Sequence, residues 1–395
     1  MAMQENTKTG PLTGLRVMDV SIMAAGPWTG ALLGMLGAEV IKVEPPAGDG
    51  TRWVMPTQRG MGTNFVAMNV NKKGIVLDFK TEQGRRDALD LMATCDVFVQ
   101  NFRGGVIERL KLDYESVKAN NPRLIYCAIC GFGETGPLST AGCADPIMQA
   151  FSGFARSNGV PEEGVEALRF TGFIDLATAA VATEGILAAL LDREVCGEGQ
   201  KVEVSMLEAA LEVQYTRYAE LLGTGLVPSP MGSESSAFVP DGAWPAQDRE
   251  IFVTVHSEAQ WKGFCTALDK PEWLSDSRFA DNRQRVSNRQ VLIELIAPVI
   301  RTRPAFWWLR VLQRHGVPSS MAHHFETYRH HAQILANDMI ARFDTPLWGE
   351  FSVGGLPWHF SDTPCRVQAP PQSGEHTREV LDALHGASAT VEETK

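Results

Sequence analysis

The sequence predicts an α/β protein whose main domain is a parallel sheet covered by helices on both faces. A chain of 395 residues, 44% of them hydrophobic, is long and apolar enough to bury a large core. Strand-like apolar runs alternate with helix-like stretches through the first half of the chain. Strands that alternate with helices at this spacing are typical of β-α-β units, which build parallel sheets.

The first β-α-β unit lies near the N-terminus. An apolar run at 15–20 (LRVMDV) ends at a loop, and a stretch with helical spacing follows at 27–38, with Gly37 in the position of a C-cap. The strand-like EVIKVE at 39–44 completes the unit.

Further elements of the same kind follow along the chain. The sequence predicts strands at 74–79, 96–101, 123–129 and 201–206, and helices at 84–95, 108–122, 175–191 and 207–223. The segment 227–248 is dense in Pro, Gly and Ser, which indicates a domain boundary or a mobile loop. We therefore predict a first part of the large domain at 1–222, a linker at 223–247 and a compact block at 248–336.

Charge and composition exclude several classes of protein. The net charge of -11 and the pI near 5.4 argue against a nucleic acid partner, because neutralising phosphates requires a basic face. The polar N-terminus does not resemble a secretory signal, and no apolar run reaches membrane-spanning length. The seven cysteines are scattered and odd in number, as in reduced proteins. We expect a cytoplasmic protein without a membrane or nucleic acid partner.

Two other kinds of site receive less support. Cys127 and Cys130 form a lone CxxC without a second pair at zinc-like spacing, and the paired histidines at 323–324 and 330–331 are typical of a solvated face, so we expect no metal. The turn SIMAAGPWTG lacks the GxGxxG pattern, although Glu44 ends the second strand where a ribose-binding acid often lies. An NAD-dependent enzyme remains a minor alternative.

Several long segments carry a resemblance to a known family. The strings GLRVMDVSIMAAGPWTGALLGMLGAEVIKVEPPAGD, NVNKKGIVLDFKTEQGR, DVFVQNFRGGVIERLKLDYESVKANNPRLIYCAICGFGETGP, GEGQKVEVSMLEAALEV and SGEHTREVL occur in the order found in class III CoA-transferases. That family includes formyl-CoA, carnitine and benzylsuccinate CoA-transferases. The resemblance implies a Rossmann-like large domain built from both chain ends, so that 337–395 returns to it, a smaller α+β domain between them, and an interlocked dimer.

The resemblance also implies a set of site residues. Asp175, directly before a long apolar helix, matches the nucleophilic aspartate; an N-cap role is the alternative, and both can hold. Backbone N–H groups near that helix start are expected to stabilise the oxyanions. Around CoA we expect Met23, Ala24, Ala25, Lys72, Asn101, Phe102 and Arg109, whereas Arg103 and Lys73 are interpreted as ordinary surface charges.

The implied activity is transfer of CoA from an acyl-CoA to a carboxylic acid, with no prosthetic group and a CoA thioester as substrate. Formyl-CoA transferases carry Gln where this chain has Ala24 and a glycine-rich flap that is absent here. We therefore expect a succinyl-CoA donor and a larger acceptor, such as a dicarboxylic or benzylsuccinate-like acid, with Arg52 or Arg169 holding a second carboxylate.

Two alternatives remain. An acyl-CoA racemase needs a His in the loop that reads AGCADPIMQ, and this loop has none. A subunit of a heteromeric CoA-transferase is the other alternative to an interlocked homodimer.

Overall fold

The computed structural model describes residues 9–58, 60–160, 164–345 and 349–392. These residues form two compact units. The first consists of 1–154, 167–226 and 333–395, and the second of 155–166 and 227–332. The domain limits at 222, 247 and 336 stay a prediction, since a compact unit is a coarser grouping than a folding domain.

The strands, in chain order, are β1 (Arg16–Asp19), β2 (Glu39–Glu44), β3 (Thr57–Gln58), β4 (Met61–Gly62), β5 (Lys72–Val76), β6 (Val97–Gln100), β7 (Ile125–Cys130), β8 (Lys201–Ser205), β9 (Asp241–Pro245), β10 (Glu250–Thr254), β11 (Ser319–Met321), β12 (Ile340–Thr345) and β13 (Gly349–Gly354). The helices are α1 (Ala25–Met35), α2 (Thr63–Met68), α3 (Glu82–Ala93), α4 (Val106–Leu110), α5 (Tyr114–Val117), α6 (Asp145–Phe151), α7 (Phe154–Ser157), α8 (Phe173–Cys196), α9 (Met206–Glu212), α10 (Tyr215–Thr224), α11 (Glu258–Ala267), α12 (Asn282–Ser287), α13 (Arg289–Ile300), α14 (Ala305–Arg314), α15 (Phe325–Tyr328), α16 (Ala332–Ala336) and α17 (Thr377–Glu392).

A six-stranded sheet with the order β5-β2-β1-β6-β7-β8 forms the centre of the first unit. All its neighbouring strands pair in parallel, as the alternation of strands and helices predicts. Successive residues of β1 point to opposite faces, so Val17 belongs to one core and Met18 to the other. The predicted α/β class with a parallel sheet is therefore confirmed.

Helices cover both faces of this sheet. On one face Leu33 of α1 and Ile186 of α8 pack with Val17 and Val99. On the other face Leu91 of α3 packs in the core that contains Met18, and the C-terminal helix α17 contributes to the same core. The central strands β6 and β7, buried on both sides, are apolar at nearly every position, whereas β2, β5 and β8 also carry charged residues.

Two predicted helices are broken, and one of them, 207–223, divides into α9 and α10. The stretch 108–122 forms the end of α4 and the short α5 instead of one continuous helix. Lys111 between them has φ of 58°, in the left-handed region, and this conformation ends α4. The helical spacing of the sequence did not predict this break.

The second unit contains a three-stranded antiparallel sheet with the order β11-β10-β9 and the helices α11 to α14. Its core is built around buried aromatic and aliphatic side chains, among them Trp261, Phe264 and Ile296. The combination of an antiparallel sheet and separate helices is α+β, as the family resemblance implies.

Among the described residues, one helix, α8, is long enough and apolar enough to cross a membrane, by length and composition only. It packs against α1, β7, β8 and α9. Ile186 and Ala182 on this helix are fully buried in the core beneath the sheet. The apolar side chains on this side of α8 therefore belong to the core of the first unit.

Candidate active site

A cavity of about 330 Å³ lies at the carboxyl edge of the parallel sheet, within the first unit. The loops that follow β1, β6 and β7 form its walls, because the carboxyl ends of parallel strands meet at one edge. Its lining residues are Ile22, Met23, Ala24, Ala25, Asn101, Phe102, Arg103, Gly104, Ile129, Cys130, Gly131, Ser139, Ala141, Gly142, Cys143, Ala144, Asp145, Asp175 and Met206.

Asp175 is the third residue of α8 and lines this cavity. Gly172 occupies the N-cap position, so the N-cap alternative for Asp175 does not hold. Burial raises the pKa of Asp175 to about 7, and the nearby negative charge of Asp145 acts in the same direction. A carboxylate with this pKa is partly protonated at neutral pH and, when ionised, is poorly solvated, which suits a nucleophile.

Asp145 begins α6 and is buried beside Asp175. Its Oδ2 accepts hydrogen bonds from the backbone N–H groups of Ile174 at 2.7 Å and Asp175 at 3.2 Å. The expected use of N–H groups at the start of this helix as an oxyanion hole is therefore corrected for these two, because Asp145 already occupies them.

The loop between β1 and α1 forms the opposite wall of the cavity. Asn101 holds this loop through two hydrogen bonds to Ile22, accepting its N–H at 2.8 Å and donating to its carbonyl oxygen at 2.7 Å. Met23 has φ of 70°, an uncommon conformation for a residue with a side chain. Ala24 and Ala25 follow at the start of α1, where no side chain caps the helix.

Lys72 lies apart from the residues that line this cavity. Its ammonium is buried and donates to Asp19 Oδ2 at 2.8 Å, to the Pro27 carbonyl at 2.7 Å and to Asn69 Oδ1 at 2.9 Å. All three of its N–H donors are thus used within the protein. This placement argues against the predicted contact between Lys72 and a CoA phosphate.

Lys72 belongs to a larger group of buried charges that we call the lysine–carboxylate network: Asp19, Lys42, Glu44, Asp49, Arg52 and Lys72. Lys42 donates to the Ser21 carbonyl at 2.9 Å and pairs with Asp49 at 3.0 Å. Asp19 accepts the Ser21 N–H at 2.9 Å. Lys42 and Asp19 therefore both hold Ser21, which precedes the loop that faces Asp175.

The arginines expected to hold a second carboxylate have other positions. Arg52 is buried, donates to Glu44 from Nε at 2.7 Å, and lies over the Phe65 ring with Cζ 3.7 Å from its centroid. Arg169 is exposed and is absent from the cavity wall. The expectation for Arg52 is corrected, because its guanidinium is already paired.

The segment after β6 carries several of the residues expected around CoA. Phe102 is half-buried and, with Asn101, lines the cavity. Arg103, interpreted from the sequence as a surface charge, lines it as well. Arg109 is exposed on α4, and a Cβ added at Gly105 would lie 3.2 Å from its Nη1. Lys73 is a surface charge, as predicted, and pairs with Glu39 and Glu379.

Sequence reasoning missed Asp145, Arg103 and Cys143. Asp145 precedes a proline, and this pattern indicates the start of a helix. It does not indicate a second carboxylate beside Asp175. Arg103 directly follows Asn101 and Phe102 in the same turn. Cys143 lies in the loop where a racemase needs His, and burial raises the pKa of its thiol to about 11. A neutral thiol of this kind is a poor general base.

Among the described residues, no group of three or more His, Cys, Asp or Glu side chains is close enough to hold a metal ion. The seven cysteines are all free.

Comparison with known proteins shows the family to which the chain belongs. A succinyl-CoA:glutarate CoA-transferase of Mus musculus is 33% identical over 374 residues, which cover 94% of this chain and 86% of that protein. An acetyl-CoA:oxalate CoA-transferase of Acetobacter aceti is 34% identical over 310 residues, 78% of this chain and 80% of that protein.

Solved structures agree with these sequence relatives. A CAIB/BAIF family protein from Brucella suis has a TM-score of 0.85 at 32% identity, covering 95% of this chain and 100% of that chain. The sequence pattern of CoA-transferase family III matches residues 12–377. The chain therefore belongs to CoA-transferase family III and is a CoA-transferase.

Proposed function

We propose that this enzyme moves CoA between two carboxylic acids through covalent intermediates on Asp175. The position of Asp175 carries this proposal: its carboxylate lies in the cavity wall, at the start of α8, largely removed from water and with a pKa of about 7. A desolvated carboxylate is a stronger nucleophile toward a thioester than a hydrated one.

The proposed reaction has four steps. The Asp175 carboxylate attacks the carbonyl carbon of the acyl-CoA, forming a mixed anhydride and releasing the CoA thiolate. The thiolate attacks the Asp175 carbonyl, forming an aspartyl-CoA thioester and releasing the first acid. The acceptor carboxylate attacks that thioester to give a second anhydride, and the thiolate then attacks its acyl carbon, forming the new acyl-CoA and restoring the Asp175 carboxylate.

We propose that the start of α1 stabilises the oxyanions. The N–H groups of the first helical turn have no intrahelical partner, and no side chain caps this helix. Ala24 and Ala25 at this position line the same cavity as Asp175. A helix N-terminus favours negative charge. The start of α1 suits this role better than the start of α8, because Asp145 already accepts the N–H groups of Ile174 and Asp175.

For CoA itself we propose the wall that follows β6. Phe102 offers an apolar surface, Asn101 and Met23 shape the loop beside it, and Arg103 and Arg109 supply positive charge for phosphates. Lys72 takes no direct part in this arrangement, because its ammonium is held inside the protein.

For the acids we propose succinyl-CoA as donor and a dicarboxylic or arylalkyl acid as acceptor. The relative that acts on succinyl-CoA and glutarate supports a dicarboxylic acceptor. The small side chains of Ala24 and Ala25 leave room for an acyl group larger than formyl. Because another relative acts on acetyl-CoA and oxalate, oxalate is included among the acids to be tested as acceptors.

We propose that the chain works as a homodimer in a reducing compartment such as the cytoplasm. Leu191 and Val195 on α8 are 73% and 89% exposed, and Leu222 on α10 is 83% exposed. Apolar side chains of this size favour burial against a second chain. The free cysteines agree with a reducing compartment. Light scattering of the purified protein measures the assembly, and a monomer or an obligatory second kind of subunit would contradict it.

Two experiments test the function. Incubation with succinyl-CoA alone should add the mass of CoA to the peptide that contains Asp175, and hydroxylamine should remove the adduct. A panel of succinate, glutarate, benzylsuccinate, carnitine and oxalate, with new thioesters followed by mass, should show the highest rate with a dicarboxylic or arylalkyl acid. An adduct on another residue would refute the mechanism, and a clear preference for oxalate would refute the size argument.

A further inference from the structure

Asp145 caps the helix that carries the nucleophile from a different element of the chain. Gly172, the N-cap residue of α8, has no side chain to accept the free N–H groups of the first turn. Asp145 at the start of α6 supplies the acceptor, with Oδ2 bound to the N–H groups of Ile174 and Asp175. The position of the first turn of α8 therefore depends on α6.

The second oxygen of Asp145 faces another fixed donor. Gln149 Nε2 donates to Asp145 Oδ1 at 2.5 Å and to the Leu168 carbonyl at 3.0 Å, while its Oε1 accepts the Leu168 N–H at 2.8 Å. The two contacts with Leu168 fix which end of the Gln149 amide points to Asp145. Asp145 thus meets N–H donors on both oxygens, and a proton on either one would meet a donor instead of an acceptor.

Asp175 has the opposite environment. Within the described part of the chain, its carboxylate oxygens accept no hydrogen bond. Burial and the charge of Asp145 both raise its pKa. Two neighbouring carboxylates in different surroundings divide their roles, one remaining ionised and the other taking up the proton. Here the N–H donors belong to Asp145, whereas Asp175 has burial and a neighbouring negative charge, both of which raise its pKa.

We infer that Asp145 is a positioning residue of the transferase site, which fixes the first turn of α8 and, through its charge, makes Asp175 the member of the pair that carries the proton in the resting enzyme. This inference rests on the proposed role of Asp175 as nucleophile. Asp145 acts through Asp175 and through the helix start, not on the substrate.

Among the described residues, the other charged or titratable side chains that line the cavity are the Cys143 and Cys130 thiols and Arg103. Glu208 lies on α9, which packs on α8, and its carboxylate accepts from Ser205. Burial raises the pKa of both thiols to about 11, so they are neutral at working pH. The helix α1, which also packs on α8, contributes no titratable side chain.

The charge of Asp145 has a consequence for the covalent steps. When the Asp175 carboxylate attacks a thioester, its negative charge leaves with the CoA thiolate and Asp175 becomes a neutral anhydride and then a neutral thioester. Repulsion between Asp145 and Asp175 exists only before acylation. Asp145 therefore disfavours the free carboxylate relative to the acyl-enzyme and raises the fraction of enzyme that carries an adduct.

The test compares Asp145→Asn with wild type in pH profile and adduct yield. Removing the charge should move the acid limb of kcat/KM to lower pH by about 0.5–1 unit and leave burial as the remaining cause of the raised pKa of Asp175. The ratio of CoA adduct to free enzyme at fixed succinyl-CoA should fall about 3- to 10-fold at pH 8. Asp145→Glu, which keeps the charge, should retain the acid limb of wild type even if turnover falls.

Asp113→Asn is the matched control, because Asp113 accepts the Ser116 N–H at the start of α5, away from the cavity. It should leave both readouts unchanged. If Asp145→Asn does not fold, wild-type protein labelled with ¹³C at the aspartate carboxyl carbons should still show one carbon that titrates near pH 7 and disappears in Asp175→Asn.

The outcomes separate this inference from the proposed function. An unchanged acid limb and adduct yield in folded Asp145→Asn, or no aspartate carbon that titrates near neutrality, would overturn the inference while Asp175→Asn remained inactive. A fully active Asp175→Asn would instead overturn the proposed mechanism on which the inference rests.

Discussion

The carboxyl edge of the parallel sheet contains two groups of buried carboxylates with opposite surroundings. In the lysine–carboxylate network each acidic side chain has a cationic partner, such as Lys72 for Asp19 at 2.8 Å and Lys42 for Asp49 at 3.0 Å. At the cavity, Asp145 and Asp175 lie together with N–H donors for only one of them. Both groups are largely removed from water.

The difference separates stability from reactivity. A buried carboxylate paired with a cation is inert, and its partner is costly to remove. A buried carboxylate beside another negative charge is unstable in its ionised form and gains from losing that charge to a substrate. The network also holds Ser21, so the inert group supports the loop that faces the reactive one.

The largest expected effect comes from Asp175→Asn. An amide is a far weaker nucleophile than a carboxylate, so kcat should fall at least about 1,000-fold, while the affinity for CoA esters changes little. Initial rates and thioester binding measure the two quantities. Near wild-type turnover without deamidation back to Asp would contradict the assignment.

The same variant should be more stable than wild type. Because the pKa of Asp175 is raised in the folded protein, ionising this group costs free energy that is absent at low pH, grows between about pH 4 and 7 and is constant above pH 7. Asp175→Asn should therefore raise the free energy of unfolding by about 1–3 kcal/mol at pH 8. Denaturant unfolding at pH 5 and pH 8 measures this pattern.

The opposite result is expected in the network. Lys72→Met leaves Asp19 buried without its cation, which should lower the free energy of unfolding by about 3–5 kcal/mol. Adding Asp19→Asn should restore part of the loss. Lys73→Met is the matched control, because its ion pairs with Glu39 and Glu379 are partly exposed, and it should cost less than about 1 kcal/mol. Equal losses for the two lysines would contradict the contrast between the regions.

The sequence predicted the parallel sheet because apolar runs mark its strands. Asp175 was expected from the family resemblance, since an aspartate before a helix is by itself typical of an N-cap. The sequence segments that resemble the family also indicated the loop at Met23 and Ala24 and the turn at Asn101. These residues line one cavity in the structure. These residues lie within a few positions of strand ends, where β-α-β topology fixes their place.

The partners of charged residues could not be predicted in the same way. Lys72 and Asp19 are 53 positions apart, and Asp145 and Ile174 are 29 apart. Nothing in the local sequence distinguishes a lysine that enters the core from one that reaches a phosphate. The place of Arg103 in the cavity wall was missed for the same reason, since other parts of this wall come from loops later in the chain.

A smaller effect is expected from pH in wild type. The nucleophile must be ionised, and the pKa of Asp175 of about 7 means that its reactive fraction falls as pH drops through 7. The rate constant kcat/KM should decline about tenfold per pH unit below pH 6 and be flat above pH 8. A rate that stays constant down to pH 5 would show that the ionised carboxylate is not the limiting form.

The smallest expected effect comes from Arg103→Ala, which tests whether the cavity has a cation for CoA. A phosphate lies far from the reacting carbonyl, so a lost contact weakens the ground state and the transition state alike. We expect KM for the CoA thioester to rise about 5- to 20-fold with kcat nearly unchanged, and the difference from wild type to shrink at high salt.

Arg109→Ala should behave similarly if the two arginines share the phosphates. Arg86→Ala is the control, because Arg86 is an exposed arginine on α3 that pairs with Glu82 within its own helix. A fall in kcat with an unchanged KM in Arg103→Ala would place this cation at the reacting carbonyl and not at a phosphate. In that case the reactive carboxylate would act beside a cation, and the contrast in charge with the lysine–carboxylate network would not hold.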